Sequence, residues 1–177
     1  MHSIKNYKLI LASASPRRQQ LMKDAGFTFE KVPEYLSKVK ASAFREELKA
    51  DEVLITADTV VCIHDRILGK PADRKEAISM LRELSGNRHL VVTGVSVTTR
   101  TEQLSFSSRT DVFFKHLSNE EIIFYVDTYK PFDKAGAYGI QEWIGYIGIE
   151  RIEGSFYNVM GLPIQKLYET LRKLQFQ

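Results

Sequence analysis

The chain has 177 residues, 44% hydrophobic and 11% aromatic, which is enough to bury an ordinary core and excludes a disordered tail. Lys and Arg number 25 against 22 Asp and Glu, so at a net +3 there is no basic block to track a nucleic-acid backbone, and any positive field must be local. The lone cysteine, Cys62, excludes an internal disulfide, the N-terminus has no signal-peptide core, and no apolar run is long enough for a bilayer. The reading is therefore a soluble, cytoplasmic protein with one domain over residues 1–177, or two lobes around a cleft.

In chain order, Lys8–Ala12 reads as a strand that runs straight into a helix over Pro16–Ala25. Ser15 is a suitable N-cap, Pro16 fits the first helical position, Leu21, Met22 and Ala25 face inward, and Gly26 closes the helix. Arg17 and Arg18 occupy the first turn, where unpaired amides already carry partial positive charge and a cation forgoes roughly 0.3 to 1 kcal/mol. That placement points to a visiting anion. The amides, the hydroxyls of Ser13 and Ser15 and the two guanidiniums would together cradle a phosphate. The plain alternative is a solvated arginine pair beside an ordinary capped turn.

A strand over Phe27–Val32, a helix over Glu34–Leu48 and a strand over Val53–Ala57 continue an α/β alternation. Thr59–Ile63 and Arg66–Leu68 flank His64-Asp65, a tight reversal that makes the sheet mixed. Asp73 and Glu76 have capping-box spacing ahead of a helix over Arg74–Leu84, which buries Ala77, Ile78, Leu81 and Leu84 and stops at Gly86. His89–Arg100 and Leu104–Phe114 read as a long hairpin. Ser118 and Glu121 form another capping box, opening a helix striped by Ile122, Tyr125, Val126 and Tyr129. The last helix starts at Pro163 and buries Ile164, Leu167, Tyr168, Leu171 and Leu174. Six of the ten glycines fall between Gly136 and Gly161, which suggests tight turns; at Gly145 and Gly148 a twisted strand with bulges is an equal reading.

Chemistry concentrates at few positions. Asp58 follows the run Val53-Leu54-Ile55-Thr56-Ala57 and precedes another, so the pattern places a carboxylate where a buried apolar residue belongs. Buried carboxylates persist when paired, metal-bound or used as acids and bases, or as structural groups satisfied by backbone amides. Lys70, in Leu68-Gly69-Lys70-Pro71, sits in a stiff turn from which an ammonium reaches a polyphosphate as a point charge. Asp133-Lys134-Ala135-Gly136-Ala137-Tyr138-Gly139-Ile140-Gln141 adds an amide able to read a base edge. For Lys70 and Lys134 solvated lysine is the more common explanation, and only the company of Arg17, Arg18 and Asp58 shifts it. The four histidines lack metal spacing, and no Walker loop, dinucleotide fingerprint or nucleophile elbow is present.

Those segments, with Ser13-Ala14-Ser15-Pro16-Arg17-Arg18, Ala57-Asp58-Thr59-Val60-Val61 and Gly154-Ser155-Phe156-Tyr157-Asn158-Val159-Met160-Gly161-Leu162-Pro163, make the chain resemble, nearly end to end, the Maf family of nucleoside triphosphate pyrophosphatases. The resemblance implies an α/β fold with a twisted mixed sheet flanked by helices and a central cleft, similar to inosine triphosphate pyrophosphatases. It also implies a dimeric enzyme that hydrolyses dTTP, UTP and modified pyrimidine nucleotides to the monophosphate and pyrophosphate with a divalent metal, Mg²⁺ or Mn²⁺. Carried over by residue, Asp58 would activate water and bind the metal, and Ser13, Arg18, Lys40 and Lys70 would hold the polyphosphate. Arg17, Thr59 and Gln141 match the pyrimidine branch rather than the one acting on 7-methyl-GTP.

One departure stands out. After Phe29-Glu30-Lys31-Val32 the family carries an acid-rich segment with a metal-binding glutamate, whereas here Pro33-Glu34-Tyr35-Leu36 follows almost at once. A nucleotide-binding regulator without catalysis, linked to septum formation, is therefore the second reading. A single-strand nucleic-acid binder using Arg17, Arg18 and aromatic residues is a weaker third, against which the modest net charge argues.

Overall fold

A computed structural model of the chain describes residues 8–11, 15–27, 29–31 and 48–174. Ser13, Lys40, the shortened stretch after Val32 and all but the last residue of the helix expected over Glu34–Leu48 lie outside them. The architecture is α/β with a mixed sheet, as the alternation of patterns predicts. Its strands run in the order β2-β1-β3-β5-β6-β7, with β4 paired to β3. They are β1 (Lys8–Leu11), β2 (Phe29–Lys31), β3 (Glu52–Ile63), β4 (Arg66–Leu68), β5 (Arg88–Thr98), β6 (Gln103–Phe114) and β7 (Ile149–Glu153). The chain forms two compact units, one of Met1–Asp58, Gly94–Ser107 and Gly161–Gln177, the other of Thr59–Thr93 and Ser108–Met160.

In the first unit β1 lies parallel to both β2 and β3, with Leu9 opposite Phe29 and Val53. Leu9, Ile10 and Leu11 are all buried, the continuous apolar run expected of a strand paired on both sides in a parallel arrangement. Helix α1 (Pro16–Asp24) buries Leu21 and Met22 and ends where Gly26, at φ 77°, turns the chain. Ser15 occupies the N-cap with extended backbone, but its carbonyl rather than its side chain opens the helix, accepting from Gln19 N at 3.2 Å. The terminal helix α6 (Ile164–Lys173) buries Leu167 and Leu171 here.

The second unit holds the hairpin of β3 and β4, where His64 and Asp65 both take positive φ (46° and 62°), the twist a two-residue reversal needs. Helices α2 (Arg74–Leu84) and α3 (Asn119–Tyr129) pack together, tied by a bidentate Arg74–Asp127 pair at 2.6 and 2.9 Å. Ser118 and Glu121 close a full capping box. At α2 the box is shifted: Asp73 accepts from Glu76 N, but the Glu76 carboxylate accepts from Ala72 N at 2.6 Å. Ala77, Leu81, Leu84, Ile122, Tyr125 and Val126, all buried, make up much of this unit's core.

The glycine-rich stretch folds differently from the bulged strand weighed for Gly145 and Gly148. It makes a short helix, α4 (Trp143–Gly148), followed by β7 and by the single turn α5 (Phe156–Val159). A Cβ at Gly145 would lie 1.8 Å from the Ile140 carbonyl oxygen, so backbone meets backbone and only glycine fits.

Candidate functional site

Those predicted residues that are described fall into two groups, one in each unit. In the first unit the two arginines at the start of α1 divide. Arg18 is largely buried and spans two main-chain carbonyls, Nε donating to Gly161 O at 2.8 Å and Nη1 to Ala57 O at 2.7 Å. Burial pushes its pKa down to about 10, against the opposing pull of Asp58, with neighbouring Arg17 adding to the lowering. Arg18 thus braces the residue before Asp58. Arg17 makes no such bonds: its Nε is buried and has no hydrogen-bond partner. A buried guanidinium nitrogen left unpaired is costly unless something else fills the role, so Arg17 is the better-poised ligand of the two.

Asp58 corrects the sequence expectation. It is exposed, because β3 is buried at its two ends and open over Thr56–Val60, so the carboxylate interrupts the apolar pattern where the strand leaves the core. No burial cost points to it. What singles it out is that it forms no hydrogen bond or ion pair among the described residues and lines an open groove of about 490 Å³. Thr56, Ser96, Ser105 and Phe106 also line this groove, with Gly94 on β5. Nothing in the packing demands glycine at Gly94: a Cβ there would meet no atom within 4 Å, so its absence widens the groove rather than relieving a clash. The described lining holds hydroxyls and one carboxylate but no cation.

In the second unit Lys70 is exposed and unpaired among the described residues, as solvated lysine would be. Its turn is held against the later glycine motif, Gly136 N donating to Gly69 O at 3.0 Å. Gly136 sits at φ 69° with the Val61 side chain 3.1 Å from where a Cβ would fall, so two constraints call for glycine. Lys134, by contrast, is buried at 8% exposure, its ammonium 2.7 Å from Asp133 and 3.2 Å from Glu142. Glu142 also accepts from the Tyr125 hydroxyl, which in turn accepts from Gly139 N at 3.0 Å. This cluster immobilises the segment carrying Gln141, whose buried Oε1 has no partner.

Thr59, next in chain to Asp58, is half-buried with Oγ1 2.9 Å from Thr93 Oγ1, and Thr93 donates to the Asn158 carbonyl at 3.0 Å. Glu142, Thr93 and Gly94 were not singled out from the sequence, Tyr125 only as part of a core stripe and Asn158 only within a family segment. Tyr125 carried a usable signal: a phenol in a fully buried stripe needs a partner for its hydroxyl. Thr93 and Gly94 had none, lying in an ordinary alternating strand.

Among the described residues no three His, Cys, Asp or Glu gather as a preformed metal cage. The donor set still suits a hard divalent cation, because Mg²⁺ is commonly held by one or two carboxylates together with substrate phosphates, and the Asp58 carboxylate is available. No described helix is long and apolar enough to cross a membrane.

A family profile described as Maf-like protein matches residues 8–174. The dTTP/UTP pyrophosphatase of Bacteroides thetaiotaomicron is 50% identical over 190 residues, covering 97% of this chain and 98% of its own length. That of Porphyromonas gingivalis is 50% identical over 192 residues, with coverage of 97% and 96%. The one from Phocaeicola vulgatus is 46% identical over 192 residues, with coverage of 98% and 100%. An aligned span of 190 exceeds the 177 residues present, so the Bacteroides relative carries residues without a counterpart here.

Proposed function

The chain belongs to the Maf-like family, and from that premise we propose that it hydrolyses dTTP and UTP to the monophosphate and pyrophosphate. Support comes from the relatives of that name and, in this chain, from the exposed, unpartnered Asp58 carboxylate beside a groove. That carboxylate is the observation that carries the reading. Water breaks the anhydride between the α- and β-phosphates, and Asp58 accepts the proton it gives up. Arg18 steadies Ala57, and with it Asp58, and its positive charge would attract phosphate. Ser13, Lys40 and Lys70 add hydroxyl and ammonium contacts to the polyphosphate. Arg17 Nε and Gln141 Oε1, the two unpaired buried atoms among the predicted residues, take polar groups of the nucleotide, and Thr59 joins them in choosing the base. A divalent cation held by Asp58 and the substrate phosphates would neutralise charge and acidify water.

The same reading takes residues 1–177 as one Maf-like domain, supported by a family match over residues 8–174. It further places the protein in the cytoplasm, which suits the free thiol of Cys62, and as a homodimer, which suits exposed aromatic residues such as Tyr146 and Tyr157. Light scattering measures the last directly.

Purified protein is to be incubated with dTTP, UTP, CTP and ATP in Mg²⁺ or Mn²⁺, and pyrophosphate followed. Release from dTTP and UTP is expected, abolished by chelator and lowered about 10²-fold or more in Asp58→Asn. An unchanged Asp58→Asn rate removes Asp58 from the mechanism. Nucleotide binding with no turnover in either metal replaces the enzyme reading with the silent regulator.

A further inference from the structure

A single phenol oxygen ties together the two ends of the turn that carries Gln141. Tyr125 lies wholly buried on α3, and its hydroxyl accepts from Gly139 N at 3.0 Å while giving its own proton to Glu142 Oε2. Gly139 and Glu142 are also joined directly, Glu142 N donating to Gly139 O at 3.0 Å. Gln141 sits inside this closed loop. Its carbonyl accepts from the Tyr146 hydroxyl at 2.7 Å, so its main chain is held there as well.

The carboxylate that completes the loop is itself fixed. Glu142 Oε1 lies 3.2 Å from the buried Lys134 ammonium, which also meets Asp133 at 2.7 Å. Gly139 makes the room: a Cβ there would fall 2.8 Å from the Glu142 carboxyl carbon and 3.1 Å from both carboxylate oxygens. Gly139 is not among the glycines at positive φ, so the carboxylate standing over the main chain is the reason for glycine at this position. Against this bonded frame, the buried Oε1 of Gln141 has no partner. An unpaired buried amide oxygen is costly, and a turn tied this closely keeps it from shifting to find a partner within the protein.

Resting on the reading above, in which Gln141 meets the base, we propose that Tyr125 and Glu142 are positioning residues for base choice, holding the Gln141 amide at one place so that order in the turn becomes discrimination between base edges. Uracil and cytosine share an outline and differ in that edge: uracil presents N3–H beside a carbonyl oxygen, cytosine a bare N3 beside an amine. An amide on a loose turn can shift or turn over to suit either. One on a fixed turn penalises the mismatch, because like groups then face each other without water.

The readout is kcat/KM for UTP over that for CTP in wild type, Tyr125→Phe, Gln141→Ala and the double variant. Phenylalanine keeps the ring and its stacking on Tyr129, with centroids 5.1 Å apart, and removes only the oxygen that Gly139 N and Glu142 share. Gln141→Ala is expected to lower the ratio about fivefold, the worth of one ordinary hydrogen bond, and Tyr125→Phe about threefold. The double variant should fall no further than Gln141→Ala, since both act through one amide. Mere damage to packing would slow both substrates together and leave the ratio alone. A wild-type ratio in Tyr125→Phe, with that of Gln141→Ala lowered, overturns the inference and spares Gln141 as the base reader. A Tyr125→Phe effect undiminished in the Gln141→Ala background overturns it too. Should Tyr125→Phe not fold, Glu142→Ala, at a partly exposed position, is judged by the same two outcomes. An unmoved ratio in Gln141→Ala defeats Gln141 as the base reader, and this inference with it; wild type that releases pyrophosphate from neither UTP nor dTTP defeats the functional reading and the inference together.

Discussion

Replacing Arg18 by lysine separates bracing from charge. Arg18 reaches two carbonyls at once, Gly161 O from Nε and Ala57 O from Nη1, and a lysine ammonium on one stem cannot reproduce that fork. A hydrogen bond from a charged donor contributes about 1.5 to 3 kcal/mol, and a carbonyl left unpaired adds its desolvation, so losing one of the two bonds costs about 2 kcal/mol. At this chain length that corresponds to a melting temperature lower by about 4 to 8 °C. Calorimetry or thermal denaturation by circular dichroism, with no nucleotide present, measures it. If Arg18 served only to attract phosphate, Arg18→Lys would keep the charge and melt with wild type; such a result would refute the bracing role and return Arg18 to the ligand-binding set alone.

His89 is buried beside Tyr138, Nε2 2.7 Å from the phenol oxygen, and burial pushes its pKa down from 6.5 to about 4. Between those pH values the unfolded chain takes up a proton that the folded one refuses, so stability is complete above about pH 6.5 and falls by about 3 kcal/mol as pH drops through 4. Urea melts across this range should show the slope, and His89→Gln should flatten it; equal slopes would exclude His89 as the cause. Gly94→Val should fold as well as wild type, since the new side chain enters open space and a strand glycine is removed. By filling the groove beside Asp58 it should nevertheless reduce kcat/KM for UTP about tenfold or more. Unimpaired turnover in that variant would mean the groove takes no part in catalysis.

Local patterns carried much of the secondary structure. The Ser118–Glu121 box and the His64-Asp65 reversal rest on chemistry within a few residues and formed as the spacing predicts, whereas α1 starts at Ser15 without the side-chain cap. The glycine-rich stretch after Gly136 was less legible, because at Gly145 the reason for glycine is the Ile140 carbonyl, which only the folded turn brings near. The burial expected of Asp58 did not hold. Its neighbours in sequence are apolar, which reads as burial, yet burial depends on whether something covers the strand at that point.

What the sequence by itself determined is the inventory: the α/β alternation, the family, and the acidic, basic and amide side chains that phosphate chemistry requires. What only the tertiary structure decided is which of those groups are already occupied. Arg17 and Arg18 are adjacent and chemically identical, yet one guanidinium is spent on main-chain carbonyls while the other keeps a buried nitrogen unpaired. Lys70 stands open and Lys134 is locked between two carboxylates. The physical reason is that hydrogen-bond capacity is finite. A donor's availability depends on partners far along the chain, such as Gly161 for Arg18 or Asn158 for Thr93, and those partners have no trace in the local pattern.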